Sequence, residues 1–125
     1  MEIKVKSLTT CEVAEDGGAI SLGFEDATGN PAAVSISLNQ VGALIMTLPG
    51  LLEAALKARY GDHSLRYAYP LASWVLEQST DTTQRIITLE TEDGFKVRFS
   101  IPKDEQSLLG EALTQPMPEM TARPN

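Results

Sequence analysis

Between residues 57 and 69 an otherwise acidic chain gathers Lys57, Arg59, Tyr60, His63, Arg66, Tyr67 and Tyr69. Arginine with tyrosine is the pairing enriched where proteins grip a partner, because both combine apolar body with hydrogen-bonding capacity. Arg59, Tyr60, His63, Arg66 and Tyr67 are therefore the candidate residues for binding a ligand or a partner. The competing reading is a solvated helix end followed by a strand with ordinary aromatic packing. Asp62-His63-Ser64 contains the three letters of a hydrolase triad. Those groups must converge from separate parts of a fold, so that the acid orients the base and the base meets the nucleophile, and three successive residues cannot do this. Asp26, Thr28 and Asn30 have the spacing of cation ligands. Pro31 occupies the place where a calcium loop needs glycine, which makes the stretch a plain turn. Cys11 is the single cysteine, which leaves no internal disulfide framework and no multi-thiolate metal site. Alternation sets Cys11 with Ile3, Val5 and Val13 on one strand face, where a small hydrophobe is expected to be buried. No acid-base constellation, cofactor motif or metal set stands out. The expectation is a protein that is not an enzyme and carries no cofactor.

The elements that position these residues are clearest in residues 85–113. Arg85, Ile87, Leu89 and Thr91 alternate with Ile86, Thr88, Glu90 and Glu92, and Phe95, Val97, Phe99 and Ile101 alternate with Lys96, Arg98 and Ser100. That is the period-two pattern of half-buried strands. A two-residue turn at Asp93-Gly94 would mix the two faces. A three-residue loop, Glu92-Asp93-Gly94, pairs Thr91 with Phe95, Leu89 with Val97 and Ile87 with Phe99, with Gly94 in the left-handed conformation. Glu90 then faces Lys96 as a modest ion pair. Pro102 opens a helix whose first turn carries Asp104 and Glu105, at the end where the helix dipole favours acid, and whose apolar stripe is Leu108, Leu109, Ala112 and Leu113.

Residues 20–56 repeat the plan. Ile20, Leu22 and Phe24 alternate with Ser21, Gly23 and Glu25, while Val34, Ile36 and Leu38 alternate with Ala33, Ser35 and Ser37. Strand candidates at residues 2–13 and 65–77 precede the two copies, so the chain reads βββα-βββα. Duplication and convergence on one amphipathic pattern both produce this. Ser37 and Gln40 fit a capping box at a helix start. The stripe Val41, Leu44, Ile45, Leu48, Leu51, Leu52, Ala55 and Leu56 keeps helical spacing through Pro49-Gly50, which implies a kinked helix or two abutting ones, with Gly61 as a left-handed stop. Trp74 is expected in the core, and Pro70 marks an edge strand or bulge.

The expected fold is α+β: one mainly antiparallel sheet of about six strands, with two helices on one face and a βββα-βββα pseudo-repeat. Residues 1–114 are expected as a single domain, and residues 115–125, with Pro116, Pro118 and Pro124, as a disordered tail. The chain has 125 residues, 42% of them hydrophobic, and a net charge of −7, which suits one core and disfavours nucleic acid and anionic membranes. No apolar run is expected to reach membrane length, and the N-terminus lacks a signal-peptide pattern, which makes the expected location cytoplasmic.

With both helices on one face, the other sheet face meets solvent. In the second hairpin it carries Thr88, Glu90, Lys96 and Arg98, whereas in the first it is flat and uncharged: Ser21, Gly23, Ala33, Ser35 and Ser37. That flat face is the candidate homodimer contact. The sequence therefore points to a small acidic, non-catalytic protein-interaction module that self-associates. The alternative is a small-ligand or peptide-binding domain that uses the Arg/Tyr cluster.

Overall fold

The computed structural model describes residues 1–117. The chain runs β1 (Val5–Val13), β2 (Ala19–Asp26), β3 (Pro31–Ser37), α1 (Leu38–Tyr60), β4 (Ser73–Gln78), β5 (Gln84–Glu90), β6 (Lys96–Pro102) and α2 (Lys103–Thr114). The class is α+β and the βββα order occurs twice, as the alternation predicts. The single six-stranded sheet does not form. The strands make two antiparallel sheets, ordered β1-β2-β3 and β4-β5-β6, in compact units spanning Met1–Ser64 and Leu65–Asn125. Alternation specifies which face a strand presents but not which strand lies beside it, and each half satisfies its ladders with sequential hairpins alone. Most of the tail expected to be disordered, residues 118–125, lies outside the described residues.

In the first unit β2 is the central strand. The register opposes Cys11 to Leu22 and Val13 to Ile20 on one side, and Ile36 to Ile20 and Val34 to Leu22 on the other. This gathers the apolar side chains on one face of the sheet. Two register shifts in β1, between Val5 and Ser7 and between Leu8 and Thr10, each insert one residue. Together they bring Leu8 onto the face of Val5 and Cys11, which strict alternation would not. At one shift Lys6 reaches Glu25, 3.7 Å away. At the other, Thr10 lies directly over Gly23, where a Cβ would collide with the threonine hydroxyl. A side chain at Gly23 would have to displace that hydroxyl, which favours glycine there while Thr10 is its neighbour.

In the second unit the pairs Glu90 with Lys96, Leu89 with Val97 and Ile87 with Phe99 are in register. The Thr91 amide donates to the Phe95 carbonyl at 2.9 Å, and Gly94 has φ of 94°. The loop is the three-residue one that the apolar pattern selects. Glu90 and Lys96 are direct partners, yet among the described residues no ion pair joins them. Glu90 is half-buried and Lys96 exposed, and a pair that reaches water gains little from closing. Thr88, expected to meet water, is 7% exposed, because it sits on the central strand between Val75 and Arg98.

The helices differ most from expectation. Neither α1 nor α2 has a buried residue, so neither lies over the sheet face of its own unit. β3 ends at Ser37 and α1 begins at Leu38; β6 ends at Pro102 and α2 begins at Lys103. Chains that double back from a strand to lay a helix on its own sheet use a connection of about two to six residues. With no spacer, each helix leaves from the strand end. The stripe is consequently uncovered: Ile45 is 63% exposed, and Leu48 and Leu51 are exposed as well. The apolar sheet faces share this fate. Leu8, Val13, Trp74, Leu76 and Phe99 are all exposed, and so is Cys11, which overturns the expected burial of Trp74 and Cys11. Phe24 is the buried hydrophobic residue among those described, at 5% exposure, flanked by Leu8 and Ala32.

Three local details complete the helices. Ser37 occupies the N-cap position but makes no side-chain capping bond, so the capping box does not form. Gly61 closes α1 in the left-handed conformation with φ of 62°, its amide donating to the Lys57 carbonyl. Pro49 sits inside α1, which continues as one helix of 23 residues. That continuity corrects another expectation. With a mean hydropathy of 1.5, α1 is long and apolar enough to cross a membrane, although helices of soluble proteins also meet that criterion.

Candidate functional site

The structure divides the Arg/Tyr cluster. Arg59 and Tyr60 belong to the last turn of α1, where the Arg59 guanidinium lies 5.9 Å from the centre of the Tyr60 ring, within cation–π range. His63 follows in the same unit, after Gly61. Arg66 and Tyr67 belong to the second unit. Ser64 donates to Asp62 Oδ1 through its amide at 3.0 Å and through its hydroxyl at 2.7 Å. These bonds hold the Asp62 carboxyl below the ordinary carboxylate range, the hydroxyl contributing most. A triad needs the serine hydroxyl on the histidine. Here it is on the aspartate, in a local turn of the kind Asp and Ser form by themselves.

The same device recurs. Thr28 binds Asp26 through amide and hydroxyl at 3.0 and 2.6 Å, and the Asn30 amide joins at 2.9 Å, so the first hairpin loop satisfies its own carboxylate. Asp81 and Thr83 repeat it at 3.0 and 2.7 Å. Among the described residues no group of three or more acidic, histidine or cysteine side chains is set to hold a metal ion.

Of the flat face, Gly23 is buried beneath Thr10 and Ser21 is half-buried, while Ala33, Ser35 and Ser37 are exposed. The residues that remain accessible there are small and offer little carbon to a partner.

A cleft forms within the second unit. The register of β4 on β5 sets Ser73 opposite Glu90, and the Ala72 amide donates to the Glu90 carbonyl at 2.9 Å. The chain ahead of β4 is thereby carried alongside the β5–β6 turn. The expected strand from residue 65 starts only at Ser73, because Pro70 has no amide for the ladder. Tyr67, Tyr69 and Pro70 then face Thr91, Glu92, Asp93 and Phe95 across a space of about 430 Å³. The rings are in contact: Tyr67 and Tyr69 meet edge to face with centroids 4.9 Å apart, and Tyr69 and Phe95 are tilted at 37° with centroids 4.5 Å apart.

Thr91 organises the acidic side. It is 9% exposed, its hydroxyl donates to Asp93 Oδ1, and the same oxygen accepts from the Phe95 amide at 3.1 Å. The Thr91 hydroxyl is the main reason that the Asp93 carboxyl titrates below its ordinary value. Of the five predicted binding residues, Tyr67 alone lines this cleft. Tyr69, Asp93 and Phe95 were missed as site residues. The signal for them is the hairpin register, which carries Tyr-x-Tyr-Pro back past the turn. Comparison with protein-family models, with curated proteins and with solved structures finds no match.

Proposed function

We propose that this protein is a non-catalytic interaction module that self-associates, and that its uncovered α1 stripe is the contact. One observation carries the reading: α1 has no buried residue over 23 positions while it presents Leu44, Ile45, Leu48, Leu51 and Leu52 to solvent. Side chains of this size each gain about 1.5–3 kcal/mol on full burial, and monomeric soluble proteins rarely leave so continuous an apolar patch exposed. A second copy is a sufficient occupant, because two identical stripes are self-complementary in chemistry and a twofold contact is the commonest arrangement of soluble oligomers. The flat face of Ser35 and Ser37 has less apolar surface to gain from contact. Sedimentation of the full chain over a dilution series tests the proposal. A concentration-dependent dimer supports it, and a monomer throughout the micromolar range sinks it. Co-flotation with lipid vesicles in place of self-association would assign α1 to a bilayer instead.

A further inference from the structure

We infer that the cleft between Tyr67, Tyr69, Asp93 and Phe95 is a binding site for an alkylammonium cation. The site is independent of self-association, since every residue that forms it lies in the second unit.

The argument starts from what the walls can offer. One wall is aromatic: Tyr69 touches Tyr67 on one side and Phe95 on the other, and each ring's residue is close to half exposed, with Tyr67 at 49%, Tyr69 at 47% and Phe95 at 46%. A ring face carries negative quadrupole density, which attracts a cation that sheds its water readily. The other wall is acidic, with Glu92 and Asp93 among the lining residues and no basic side chain among them. A neutral apolar guest would fit the rings but would strip water from two carboxylates with nothing in return. A metal ion would satisfy the carboxylates but makes no use of an aromatic wall, because hard cations take oxygen ligands. An alkylammonium group suits both walls, its methyl or methylene surface lying on the rings and its charge facing the acids.

The acid is held ready in place. Thr91 holds Asp93 Oδ1, and a carboxylate has accepting capacity at both oxygens, so the side chain can keep this bond while its charge answers a cation in the cleft. Thr91 also bonds to the Phe95 amide at 3.1 Å, which couples the position of the charge to that of the ring. The space of about 430 Å³ lies within the range of about 300–1,000 Å³ typical of small-molecule sites.

Choline and a peptide carrying trimethyllysine present the same headgroup, one as a free small molecule and one on a protein chain. Each is titrated into the full-length protein while the amide NMR spectrum is recorded, beside the uncharged isostere of choline in which carbon replaces the ammonium nitrogen. The expected result is saturable movement of the Thr91, Asp93, Gly94 and Phe95 amides with choline and far smaller movement with the isostere. Tighter binding of the peptide identifies a protein-borne headgroup, and equal or weaker binding a free one; both sustain the site. Asp93→Asn retains an oxygen for Thr91 and removes the charge, and should weaken choline binding up to about fivefold, as the loss of one exposed ion pair does. Tyr69→Leu, a second variant that leaves the turn intact, should weaken it comparably. Equal movement with the isostere, no saturable movement with either cation, or unchanged binding in both variants overturns the inference.

Discussion

Ile45→Glu places a carboxylate in the middle of the α1 stripe without weakening the helix, because glutamate is at least as good a helix former as isoleucine. Ile45 is 63% exposed in the chain. Full burial of an isoleucine side chain contributes about 1.5–3 kcal/mol, so covering the exposed part contributes about 1–2 kcal/mol per copy and about 2–4 kcal/mol across a twofold contact. At 1.4 kcal/mol per tenfold, losing that term alone weakens association by roughly one and a half to three orders of magnitude. Two unpaired carboxylates in the contact weaken it further. Sedimentation equilibrium reads the change directly, with far-UV circular dichroism to confirm that the helices persist. A Ile45→Glu protein that dimerises as tightly as the wild type would refute the assignment of the contact to α1. Ser35→Arg is the companion variant, and on the present reasoning it leaves the dimer intact.

Three further outcomes follow from local geometry. Gly94→Val should lower stability to denaturant by about 1 kcal/mol or more, because a β-branched residue resists the positive φ there; unchanged stability would contradict the three-residue loop. Gly23→Ala should cost about 1–3 kcal/mol by driving a Cβ into the Thr10 hydroxyl, with partial recovery in the Gly23→Ala/Thr10→Ala double variant; additive effects of the two changes would show that Thr10 is not the obstacle. The carboxyls of Asp26, Asp62, Asp81 and Asp93 are each held below 3.8 by a nearby hydroxyl. Their contribution is fully present above the unfolded value and is lost as pH falls through the lower folded values. Carboxyl NMR titration should find all four below 3.8, and replacing Thr28 with alanine should move Asp26 back towards it.

The parts of the fold legible in the sequence are those set by neighbours along the chain. The loop at residues 92–94 follows from the requirement that Leu89 face Val97, and the end of α1 follows from Gly61. The misread parts depend on distant surfaces. Alternation at Trp74 and Cys11 correctly names an apolar face, but burial needs a second layer, and the direct joins at Ser37–Leu38 and Pro102–Lys103 keep each helix from doubling back as that layer. The cleft was half legible. Tyr67 and Tyr69 stood out by type, whereas Asp93 and Phe95 acquire their roles only when β4 takes its register on β5 and sets Tyr67, Tyr69 and Pro70 beside the turn.

The direct junction of β3 with α1 also works as a mechanical coupling. A loop between two elements acts as a universal joint and lets each keep its own phase. Here the phase of the strand is transmitted to the helix, so one extra residue between Ser37 and Leu38 would turn the whole apolar stripe by about 100° about the helix axis and advance it by about 1.5 Å. The first sheet, with its bulged edge strand β1 and with Gly23 beneath Thr10, is thus the part that sets the direction in which α1 presents its leucines.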